Sequence, residues 1–161
     1  MIKSAVIAGV MLMSGGLAFA GPGASGHGHG QDENTAYGRP GDPGKPSRVI
    51  TITMRETDDG KMLFAPDEIS VRRGEQIRFK VVNAGDVDHE MTVATFAENQ
   101  KHKVQMQKNP DMEHDDPNAV RVKPTASGEI LWAFTKAGEF EFACLIPGHY
   151  ESGMKGVIVV K

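Results

Sequence analysis

From Arg48 onward, apolar side chains recur at every second position. Val49, Thr51 and Thr53 alternate with Ile50, Ile52 and Met54. Ile77, Phe79 and Val81 then share one face of a segment whose other face carries Arg78 and Lys80. Ile69 and Val71 precede that segment across Gly74, and Met91 and Val93 follow it across the turn-forming run Asn83-Ala84-Gly85-Asp86. Ile130, Trp132 and Phe134 make another face, Phe140, Phe142 and Cys144 the next, and the chain closes on the apolar run from Val157 to Val160. A repeat of two places alternate side chains on opposite faces of a strand. Short strands of this kind, punctuated by Gly, Pro and Asp, predict an all-β antiparallel Greek-key sandwich or barrel of about seven strands.

Three regions break the alternation. Between Ala94 and Ser127, helix formers run from Ala97 to Gln107 and are stopped by Pro110, Pro117 and Pro124, which predicts a long crossover containing a short helix. Residues 21–47 are rich in Gly, Pro, Ser and Asp without apolar periodicity, as in a flexible linker; it holds His27 and His29, exposed residues or weak metal ligands. The first twenty residues combine Lys3, an apolar run from Ala5 to Leu12 and the small-x-small close Ala18-Phe19-Ala20. That pattern predicts a secretory signal peptide cleaved after Ala20 rather than a helix of the folded domain. Its apolar run is too short to persist as a membrane anchor, and no later stretch is long and apolar enough to cross a bilayer. The expected organisation is therefore a signal peptide at 1–20, a linker at 21–47 and one domain at 48–161.

Charge and cysteine content narrow the function. The 161-residue chain has a formal charge of −3, and loss of a leader with one lysine and no acid makes it −4. A mildly acidic surface argues against a nucleic-acid partner, because phosphate binding needs a basic footprint. Cys144 is the single cysteine, so no internal disulfide can form. A lone thiol in an oxidising compartment must be buried, as a small apolar residue would be, or bound.

Its neighbours favour the second option. The segment Phe140-Glu141-Phe142-Ala143-Cys144-Leu145-Ile146-Pro147-Gly148-His149 continues through Glu151-Ser152-Gly153 to Met154. Alternation turns Cys144 inward with Phe140 and Phe142. The turn at Leu145 to Gly148 can return His149 to the sulfur, and the bend at Glu151 to Gly153 can carry Met154 towards the same point. A second imidazole must come from elsewhere, and His89 stands just after a turn at a strand end. One thiolate, two imidazoles and a weak axial thioether form the ligand set of a mononuclear copper site. Three strong donors near one plane with a long axial bond suit both oxidation states, so little rearrangement accompanies electron gain or loss. Taken singly, His89 reads as a surface residue and Met154 as a core filler. Zinc held by Cys, His and His is the other metal reading, whereas a dinuclear copper centre would require a second cysteine.

These residues carry a resemblance. The run Phe64-Ala65-Pro66-Asp67-Glu68-Ile69-Ser70-Val71-Arg72-Arg73-Gly74-Glu75, the Asn83-Ala84-Gly85 turn leading to His89, and the Cys-x4-His-x4-Met spacing resemble the cupredoxins. More narrowly, Asp88-His89-Glu90-Met91, Met112-Glu113-His114-Asp115-Asp116-Pro117-Asn118 and the Cys144-to-Gly156 loop are similar to bacterial periplasmic cupredoxins associated with copper tolerance. The likeness covers residues 48–161. It implies a periplasmic protein holding one Cu(I)/Cu(II) ion, with His89, Cys144 and His149 as equatorial ligands and Met154 as axial ligand.

A weaker cluster comprises Met91, Met106, Met112 and His114, with His102 nearby. It reads either as an accessory Cu(I) site or as packing of the long crossover onto the sandwich. No Gly-x-Ser-x-Gly, His-Glu-x-x-His or phosphate-binding glycine loop is present, and a four-ligand copper site leaves no open position for substrate, so an enzyme is not expected. Copper handling in tolerance is the favoured function. A dedicated electron carrier, with a periplasmic redox protein such as a c-type cytochrome as partner, is the alternative, and a copper-free sandwich the third reading.

Overall fold

The computed structural model describes residues 35–110, 112 and 116–161. The proposed leader with its cleavage after Ala20, His27, His29 and His114 all lie outside the described residues. Among those described, ten strands and one helix follow in order: β1 (Arg39–Pro40), β2 (Arg48–Glu56), β3 (Met62–Ala65), β4 (Glu68–Val71), β5 (Gln76–Asn83), β6 (His89–Ala94), α1 (Phe96–Lys108), β7 (Ala119–Val122), β8 (Ser127–Ala133), β9 (Gly138–Ala143) and β10 (Lys155–Val160). They form two five-stranded sheets ordered β1-β8-β5-β2-β3 and β4-β10-β9-β6-β7.

The faces predicted from alternation are those that meet between the sheets. Ile52 and Met54 of β2, Ile77, Phe79 and Val81 of β5, and Ile130 and Trp132 of β8 are buried, as are Met91 and Val93 of β6 and Phe140 and Phe142 of β9. Phe64 meets Phe142 edge-on across the sandwich, with ring centroids 5.0 Å apart, and Phe134 stacks near Phe140 at 6.5 Å. Burial of such aromatic area, with its preferred edge and offset geometries, drives closure of the two sheets.

Two details differ from the sequence expectation. The strand total exceeds seven because β1, β3 and β7, of four residues or fewer, are too short to display a period. Nor is the sandwich wholly antiparallel: β2 pairs with β5, and β10 with β4, in parallel. Each parallel pair joins strands whose connection passes through the opposite sheet. The crossover helix spans 96–108 rather than 97–107, started by a capping box in which Thr95 accepts from the Glu98 backbone while the Glu98 carboxylate accepts from Thr95.

Part of the segment expected as linker is built into the sandwich edge. β1 pairs with β8, Tyr37 stacks on Trp132 at 5.4 Å, and the indole Nε1 of Trp132 donates to the Tyr37 carbonyl at 3.0 Å. One aromatic residue in a Gly- and Pro-rich stretch carries no periodicity, so only its partner reveals its role. Replacing Tyr37 with alanine removes that stacked ring from a buried position; a loss of about 3 kcal/mol in unfolding free energy is expected by chemical denaturation.

Candidate metal centre

The donors come from two neighbouring strands of one sheet and the loop that follows. His89 opens β6, and Cys144 lies one residue beyond the end of β9. These strands are antiparallel partners with Thr92 opposite Ala143. Continued past Ala143, the register brings Cys144 alongside the start of β6, where the Glu90 backbone N–H donates to Cys144 Sγ at 3.3 Å.

The loop from Leu145 to Met154 then folds back on itself. His149 N–H donates to the Ile146 carbonyl at 3.0 Å, and Met154 N–H donates to the His149 carbonyl at 3.1 Å. Cys144 N–H in turn donates to the Met154 carbonyl at 3.1 Å. Gly148 and Gly153, at φ of 89° and 102°, occupy the left-handed conformation that these two reversals require. One short circuit of backbone bonds thus ties together Cys144, His149 and Met154.

Three donor atoms face one another across this corner. His89 Nδ1 lies 3.2 Å from His149 Nδ1, which lies 3.3 Å from Cys144 Sγ. All three atoms fall within 4.8 Å of one another, and among the described residues this is the one group of three or more His, Cys, Asp or Glu side chains arranged to hold a metal ion. His89 and Cys144 are fully buried, while His149 is half-buried.

The electrostatics suit a soft cation. Burial pushes the Cys144 thiol up to about 12, against the opposing pull of the backbone N–H groups of Glu90 and Ile146. A thiol so placed becomes a thiolate at neutral pH when a neighbouring positive charge offsets desolvation, which is what a bound metal supplies. Burial, followed by the nearby His89, lowers the His149 pKa below the usual imidazole value, favouring the neutral ring with a free lone pair. On its far side, His89 Nε2 sits 2.8 Å from Glu56 Oε1. Although burial of Glu56 opposes ionisation, the Asp86 backbone N–H and His89 outweigh it and hold the carboxyl below its ordinary range. A carboxylate only accepts, so Nε2 carries the proton and Nδ1 presents its lone pair to the corner. Two imidazole nitrogens and one sulfur, converging in a water-poor pocket, fit copper.

Met154 is fully buried, with its backbone bound to both Cys144 and His149 as described. Met91 lies in the main core with Met154. Met106 packs with Ala143, Leu145 and Tyr150 in a smaller cluster against which Met112 rests, and His102 is half-buried on α1. Sequence reasoning did not find Glu56: a glutamate ending a strand has no local mark, and its proximity to His89 spans 33 positions.

The chain matches, over residues 52–161, the family described as copper binding proteins, plastocyanin/azurin family. It is 52% identical over 133 residues to the copper-resistant cuproprotein CopI of Rubrivivax gelatinosus, covering 83% of this chain and 78% of that protein. Identity to the copper-resistant cuproprotein CopI of Pseudomonas aeruginosa is 35% over 175 residues, covering 91% and 92%. Among solved structures, auracyanin from Roseiflexus castenholzii shares the fold at a TM-score of 0.59 and 22% identity, covering 73% of this chain and 99% of that one. Fold, donor set and sequence therefore agree: the chain is a copper-binding cupredoxin and belongs to the plastocyanin/azurin family.

Proposed function

We propose that this protein is an exported, periplasmic copper protein that holds one ion at His89, Cys144, His149 and Met154, exchanges single electrons there and serves copper tolerance. The observation that carries the reading is the convergence of His89 Nδ1, His149 Nδ1 and Cys144 Sγ within 4.8 Å. Met154 is the proposed axial donor, supported by its burial and by the backbone bonds that hold it against the two loop ligands. The organisation proposed with it is a signal peptide at 1–20 and a linker that ends before the Tyr37 contact. With four protein donors around the ion, no position is left for substrate, and binding with electron exchange is favoured over catalysis. Tolerance is favoured because the relatives matched over most of their length are copper-resistant cuproproteins.

One observation favours the second reading, a dedicated electron carrier. His149 is the least buried of the three converging residues, and Ile146, Pro147 and Gly148 beside it reach the surface. An imidazole edge in such a patch suits brief docking of a redox partner, a c-type cytochrome being the partner class to test. Rapid reduction of the copper form by such a cytochrome would support the carrier role.

Copper titration with visible and EPR spectroscopy tests the site. The wild type is expected to take up one equivalent and develop intense colour, and Cys144→Ser to lose that colour, since the transition requires a copper–thiolate bond. A colourless wild type, or an unchanged Cys144→Ser spectrum, would sink the assignment. Met154→Leu is expected to keep the colour while altering the spectrum and raising the reduction potential, because an apolar axial neighbour disfavours the more charged cupric state. In cells, deletion is expected to cause copper sensitivity with respiration intact, and Cys144→Ser to fail in complementation; impaired respiration without copper sensitivity would favour the carrier instead.

A further inference from the structure

Glu56 ends β2, in the sheet opposite the one that supplies the copper donors, yet its carboxylate enters the site's outer wall. Oε1 lies 2.8 Å from His89 Nε2, and Oε2 accepts the Asp86 backbone N–H at 3.0 Å, with the Val87 N–H 3.4 Å from Oε1. The loop that leads to His89 is shaped around this group. Asn83, fully buried, donates to the Val87 and Val122 carbonyls at 2.7 and 2.9 Å and accepts the Gly85 N–H at 2.9 Å. A Cβ at residue 85 would fall 2.2 Å from Glu56 Oε2, so glycine there is a condition of the carboxylate's position. The side chain is only 24% exposed.

We infer that Glu56 is a positioning residue for the copper site: by accepting the Nε2 proton of His89 it fixes the tautomer and ring orientation that aim Nδ1 at the ion, and its negative charge strengthens that nitrogen as a donor to Cu(II). Outer carboxylates on metal-binding histidines raise ligand basicity in this way. The stronger donor stabilises the cupric form more than the cuprous form, so Glu56 lowers the reduction potential. A purely structural role, stapling residues 86 and 87, would use the oxygens as acceptors and not their charge. Charge separates the two, and glutamine keeps an acceptor oxygen for His89 while removing the charge.

The inference rests on copper being held by His89, Cys144 and His149, so the test has one arm without metal. In the apoprotein, nitrogen-15 NMR of the histidine rings is expected to show His89 protonated at Nε2, and Glu56→Ala to introduce the Nδ1-protonated form. In the copper form, Glu56→Gln is expected to reduce the Cu(II)-to-Cu(I) affinity ratio about tenfold, read by voltammetry as a rise of about 59 mV for a one-electron couple. Glu75→Gln, which loses a carboxylate paired with Arg48 away from the site, should leave the potential unchanged. A wild-type potential in Glu56→Gln, or wild-type His89 shifts in Glu56→Ala, would overturn the inference. If Glu56→Ala fails to fold, the near-isosteric glutamine variant decides. If the wild type takes up no copper, the copper reading falls, while the apoprotein spectra still uphold or overturn the tautomer assignment.

Discussion

Antiparallel pairing between β6 and β9 governs the geometry of this protein's site. It sets the first residue of one strand and the first residue past the other at the same corner of a sheet, with Thr92 facing Ala143 as the register mark. A slip of one residue would turn Cys144 to the other face, since side chains alternate with a period of two. The register is held by what it buries: Met91, Val93, Phe140 and Phe142 all face the interior only in this alignment. The hydrophobic contacts that close the sandwich therefore also fix a sulfur beside an imidazole 55 positions earlier in the chain.

The donors need more than proximity, because a buried thiol and imidazoles are held in place only if their remaining polar atoms are satisfied. The Glu90 backbone N–H serves the sulfur, Glu56 serves the far nitrogen of His89, and the loop closes through bonds among Cys144, His149 and Met154. Each of these partners comes from a different stretch of chain. The arrangement limits how far the donors can shift when a cation enters. His149 reaches towards the surface, whereas His89 and Cys144 are sealed inside.

The same economy shows at the opposite margin of the fold. Tyr37, in a segment whose composition reads as flexible, docks on Trp132 and adds a two-residue strand to one sheet. Low-complexity composition limits how much surface a segment can bury, but one aromatic residue with a waiting partner is enough to hold a short piece of it.

By itself, the sequence determined the β-sandwich class, the inward faces of the long strands, the crossover helix and the candidacy of the cysteine and two histidines that converge at one corner. Those properties follow from local rules: a two-residue period, turn and cap residues, and the affinity of thiolate and imidazole for copper. The tertiary structure alone decided that Nδ1 rather than Nε2 of His89 faces the donors, that two strand pairs run parallel, that Tyr37 belongs to the sandwich, and that Glu56 backs His89. Each of these depends on a contact between residues far apart in the chain, and neither composition nor spacing encodes which distant neighbour a side chain will meet.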